Sequence, residues 1–128
     1  MNTIVRTYLI ELARKTTKQQ VTYQKLSDDC RLGYQLQDNP VHRMEIASLL
    51  DSISRYENSF ERPLLSVLVV KSTDQYPGNG FYKLAETLTG KNLNNATMKL
   101  DFWSDEFKKC ITFWKNDKQY LAFREIVN

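Results

Sequence analysis

Apolar positions along the chain fall into several helical stripes and one unbroken run. Ile4, Val5, Tyr8, Leu9 and Leu12 recur at helical spacing with Arg6, Glu11, Arg14 and Lys15 on the other side, which predicts a helix over about residues 3–16. Residues 16–20 break the pattern, and Val21, Thr22 and Tyr23 form a short β-prone step. Thr22 is a candidate N-cap for a second helix to about Leu32, with Gly33 as its C-terminal stop. Asn39-Pro40 is a start signal, cap then first-turn proline, for a third helix to about Asn58. Met44, Ala47, Leu50 and Ile53 mark its inner face, widened by Ile46 and Leu49.

The unbroken run, residues 64–70, contains neither charge nor glycine and predicts a strand buried on both faces, begun by Pro63. Tyr76-Pro77-Gly78-Asn79 places Pro and Gly where a type II turn needs them, so positive φ is expected at Gly78. Phe81, Leu84, Ala85 and Leu88 then predict a helix, with a returning strand at residues 80–82 as the alternative. Residues 90–95 are turn-rich. Ser104, followed by Asp105 and Glu106, is the expected cap of an aromatic helix carrying Trp103, Phe107, Cys110, Ile111 and Trp114. A break at Asn116-Asp117 introduces a last helix with Tyr120, Leu121, Phe123 and Ile126.

These elements describe an α+β chain, mostly helical, with a short sheet or wing. One domain over residues 1–128 is expected, a core over about 1–88 and a C-terminal helical extension over about 101–127. Fifteen aromatic residues and 41% hydrophobic content exclude disorder. The net charge of +3 is evenly spread, 8 Lys/Arg against 7 Asp/Glu in residues 1–60 and 10 against 8 in residues 61–128, so neither half is an electrostatic footprint for nucleic acid. Arg6 and Glu11 interrupt the N-terminal apolar residues, which excludes a secretory h-region or a membrane span there. Cys30 and Cys110 lack metal spacing and read as reduced thiols, consistent with a cytoplasmic protein.

Candidate chemistry is sparse. His42, the single histidine, excludes paired-histidine zinc and ribonuclease sites, and its place at the start of the third helix predicts an exposed or capping role. Asp28-Asp29 and Asp105-Glu106 are adjacent acids that point apart on a helix, so no metal centre and no cofactor are expected. Gly78, Asn79 and Gly80, with Asp74 nearby, form a candidate anion or ligand cradle, against the plainer reading that the glycines only turn the chain.

The order helix, Val21-Thr22-Tyr23 step, helix, helix, strand is similar to a winged helix-turn-helix domain. The Val21-Thr22-Tyr23 entry into Leu26, with Asn39-Pro40-Val41-His42-Arg43, resembles DNA alkylguanine transferases and their alkyltransferase-like relatives. Val41 stands where their nucleophilic cysteine would be, and the spacing from the Thr-Tyr step is shorter, so alkyl transfer is not carried over. The RPLLSVLVV and PGNGFYKLA segments also resemble small uncharacterised proteins of bacterial or mobile-element origin. The winged resemblance implies a non-catalytic module that engages a partner protein or duplex DNA through the third helix. Gln35, Gln37, His42 and Arg43 would lie at its start, with Lys18, Lys25 and Lys71 toward phosphate. Glu45, Asp51 and Glu57 against Arg43 and Arg55 make that helix net negative, which favours protein over DNA. The alternative is a small enzyme or ligand-binding protein that uses the Pro77–Tyr82 turn as an anion or ligand cradle, with Asp74 or His42 nearby.

Overall fold

A computed structural model describes residues 1–126. Val127, at the end of the expected extension, lies outside the described residues. The chain is α+β and mostly helical. Its elements are α1 (Thr3–Ala13), β1 (Val21–Thr22), α2 (Tyr23–Asp29), α3 (Pro40–Ser59), a 3₁₀ helix (Leu65–Leu68), β2 (Val69–Val70), α4 (Asn79–Thr89), α5 (Ala96–Lys115) and α6 (Asp117–Phe123). The two strands pair in parallel, Val21 with Val69 and Thr22 with Val70.

The apolar run at residues 64–70 is the axis of the core. Leu65, Val67, Leu68, Val69 and Val70 are fully buried, and α1, α3 and α5 all pack on the 3₁₀ segment. The expected long strand is therefore corrected to one 3₁₀ turn and two strand residues. An uninterrupted apolar run does not by itself separate a strand from a buried helical segment. Here Ser54 on α3 decides locally: its Oγ accepts the Ser66 N–H at 3.1 Å and lies 2.7 Å from Ser66 Oγ, while Val67 N–H donates to Leu64 O.

Three helix starts are those the sequence marks. Thr22 Oγ1 accepts the Lys25 N–H, Asn39 Oδ1 accepts those of Val41 and His42, and Asn116 Oδ1 accepts that of Gln119. Two other boundaries differ. Helix α2 ends at Asp29, and Arg31 rather than Gly33 takes the first left-handed position (φ 55°), with Leu32 N–H closing onto Ser27 O. Helix α5 begins at Ala96 under an Asn95 cap, so Ser104 lies inside it, and Glu106 is free to accept the Leu64 N–H at 2.9 Å. Met44 and Ala47 are exposed rather than buried; the inner face of α3 is Ile46, Leu50, Ile53, Ser54 and Glu57.

Glu57 is fully buried and paired twice, with Arg6 Nε at 2.8 Å and Arg62 Nε at 2.9 Å. Arg6 also donates to the carbonyls of Phe123 and Arg124, joining α1 to the end of α6. Cys110 and Trp114 of α5 enter the same core cluster as α1, and Cys110 and Cys30 are free thiols. Among the described residues no helix is long and apolar enough to cross a membrane.

Candidate functional site

The pairing of β1 with β2 sets two walls facing each other across a cleft of about 750 Å³. One wall is α3, which presents Arg43, Ile46, Ala47, Leu50 and Asp51. The other runs from Lys71 at the exit of β2 to Gly78, Gly80 and Phe81 at the entry of α4. Thr22 and Tyr23 close one end, and Leu36 and Gln37 contribute from the α2–α3 loop.

The first wall is held by its loop. Gln24 of α2 donates to Tyr34 O at 2.8 Å and accepts the Leu36 N–H at 3.1 Å, while Ser27 Oγ accepts the Tyr34 N–H. His42 Nδ1 accepts the Gln35 N–H at 2.9 Å, and its ring packs on Tyr34 with centroids 5.3 Å apart. Arg43 Nη1 donates to the carbonyls of Leu36 and Gln37. His42 thus clamps the loop to the start of α3.

The second wall is a closed loop. Lys71 N–H donates to Tyr76 O and Gln75 N–H returns to Lys71 O, with Gln75 in the left-handed region at φ 63°. The expected type II turn is overturned: Gly78 has φ −71° and serves as the N-cap position of α4. Its glycine character has another cause. Gly78 N–H donates to the Tyr23 hydroxyl at 3.0 Å, and a Cβ on Gly78 would lie 3.2 Å from that oxygen. The Asp74 carboxylate accepts the Tyr76 N–H and pairs with Lys71 at 3.0 Å, which holds its pKa below the ordinary carboxylate range. Burial pushes the Tyr23 hydroxyl up, with the Gly78 N–H opposing, and pushes the Asp51 carboxyl up against the pull of Arg55.

Of the residues singled out from the sequence, Gln37, Arg43, Lys71, Gly78 and Gly80 line the cleft together. Gln35, His42, Asp74 and Asn79 lie on the flanking segments, and Asp74 and His42 serve those segments' internal hydrogen bonds. Lys18 and Lys25 do not reach the cleft; Lys25 pairs with Asp29 at 3.3 Å, and Lys18 occupies a left-handed position (φ 55°) between α1 and β1. Sequence reasoning missed Tyr23, Leu36 and Ser66 as cleft residues, while Phe81 falls within the expected Pro77–Tyr82 cradle. Only Tyr23, an aromatic directly after the β-prone step, carried a local signal. The negative sum assigned to α3 also changes, since Glu57 is neutralised inside the core and the exposed charges are Arg43 and Arg55 against Glu45, with Asp51 half-buried.

No family model, curated protein or solved structure matches the chain.

Proposed function

We propose that this chain is a non-catalytic, winged-helix-like binding module that engages a partner protein in preference to duplex DNA, with α3 and the β2–α4 connection as its working surface. The order α1, β1, α2, α3, β2 supports the winged comparison, while the parallel β1–β2 pair, followed by α4 and not by a returning strand, departs from it. The observation that carries the preference for protein is the fate of the cations. Lys25 and Lys71 each face a carboxylate of their own segment, and Lys18 and Lys25 stand outside the cleft, so Arg43 is the cleft cation that has no carboxylate partner among the described residues. Phosphate neutralisation supplies most non-specific DNA affinity, and cations already engaged give little of it.

Fluorescence anisotropy with a mixed duplex pool tests this at low and physiological salt. The expected result is no salt-sensitive binding at protein concentrations up to about 10 μM, well inside the usual non-specific range. Steeply salt-dependent binding, lost in a Lys18→Gln/Lys25→Gln/Lys71→Gln variant, would overturn the preference for protein.

A further inference from the structure

The cleft has a surplus of hydrogen-bond donors that its own walls do not absorb. Tyr23 accepts from Gly78, and its hydroxyl proton finds no acceptor among the described residues. Ser54 and Ser66, 0% and 5% exposed, share one O–H···O bond, and Ser54 also takes the Ser66 N–H. Two hydroxyl protons and one internal bond leave a proton over. When Ser54 donates to Ser66, the remaining proton belongs to Ser66, the member of the pair that lines the cleft. That arrangement gives the proton an outlet, whereas a buried donor without one costs about 1–3 kcal/mol.

The charged side chains in the lining are Arg43 and Lys71 against Asp51. Asp51 has Arg55 at 3.9 Å, too long for a hydrogen bond, and Lys71 pairs with Asp74 at 3.0 Å. Arg43 bonds only to neutral carbonyls, so its positive charge meets no carboxylate among the described residues. Between these polar groups lie Leu36, Ile46, Leu50 and Phe81, an apolar floor. The volume falls inside the range of small-molecule sites, roughly 300–1,000 Å³.

We infer that the cleft binds a small organic carboxylate, its apolar body on Leu36, Ile46, Leu50 and Phe81 and its carboxylate toward Arg43 and the surplus hydroxyl protons. This goes beyond partner docking and rests on the cavity alone, so a partner contact on α3 stands or falls separately.

The test is amide-resolved NMR titration of the full chain with 4-phenylbutyrate, its neutral amide and 4-phenylbutylamine. The expected shifts converge on Tyr23, Ala47, Ser66, Gly78 and Gly80. The acid binds about five-fold tighter than the amide, and the amine is weakest, as expected for one charge-assisted contact near the surface. Arg43→Met loosens the loop and weakens all three ligands, but it brings the acid-to-amide ratio to about one, whereas Arg43→Lys keeps the preference. Ala47→Phe, from an exposed helical position, fills the cleft and abolishes the shifts while leaving a dispersed spectrum. Shifts that scatter over the surface, an amine that binds as well as the acid, or no saturable binding of any of the three in the millimolar range would overturn the inference.

Discussion

Replacing Glu57 by Gln removes the carboxylate that two buried guanidinium groups share. Its four hydrogen bonds come from Arg6 Nε and Nη2 and from Arg62 Nε and Nη2, at 2.8, 3.4, 2.9 and 3.5 Å. A glutamine keeps the size but turns one acceptor oxygen into an NH₂ that faces donors. Two arginines, 1% and 7% exposed, are then left without a counter-charge among the described residues. Breaking a buried ion pair by removing one partner costs about 3–5 kcal/mol. The total stability of a domain is only about 5–15 kcal/mol. With a urea slope of about 2 kcal/mol/M, the midpoint of unfolding should fall by about 2 M. The midpoint temperature should fall by on the order of 10–20 °C. Urea titration followed by far-UV circular dichroism reads the first value and calorimetry the second. Arg6→Met/Glu57→Leu/Arg62→Met should recover most of the loss, because no charge is left buried and the freed carbonyls of Phe123 and Arg124 lie on exposed residues. A loss below about 1 kcal/mol in Glu57→Gln would refute the reasoning, since that is the scale of a surface pair.

Two further outcomes follow from the caps and the β2–α4 loop. Asn95→Ala should cost about 1 kcal/mol and expose the first-turn amides of α5 to exchange, measured by hydrogen–deuterium exchange at Met98, whose N–H the Asn95 side chain accepts at 2.9 Å. The folded pKa of Asp74 lies below its unfolded value, so its contribution is fully present above the ordinary carboxylate range and is lost as pH falls through the lowered value. Carboxyl-carbon NMR should show Asp74 titrating below an unhindered aspartate, and Lys71→Met should move it upward.

The helices were legible where a cap and a stripe coincide. Asn39-Pro40 ahead of Ile46, Leu50 and Ile53 is such a place, and so is Thr22 ahead of Leu26. The errors share a physical cause: a local preference was overruled by a partner distant in sequence. Ser104 is a good cap in isolation, yet Asn95 starts the helix earlier and Glu106 is used by Leu64. Gly78 is the obvious left-handed residue of its turn, yet it has φ −71° and lies tight against the Tyr23 hydroxyl, and Gln75 takes the positive φ. Met44 fits the helical stripe as well as Leu50 does, and only the placement of the 3₁₀ segment decides which is covered. The cleft was half legible. Gln37, Arg43 and Lys71 were singled out through the winged resemblance and Gly78 and Gly80 through their turn, whereas Ser66 and Leu36 join them only through the β1–β2 pairing and the Gln24 bonds.

That pairing joins Val21 to Val69, so the cleft depends on closing most of the first half of the chain into a loop. Loop closure of this length is an entropic toll that must be met before the contacts reward it, which makes such contacts late in folding. The helices can form on local signals, but the binding surface cannot. A fragment ending before Val69 would carry all of α3 and every cap up to it, and would have no cleft. The site is therefore a reporter of complete folding, absent from any nascent chain in which β2 has not yet been delivered to β1.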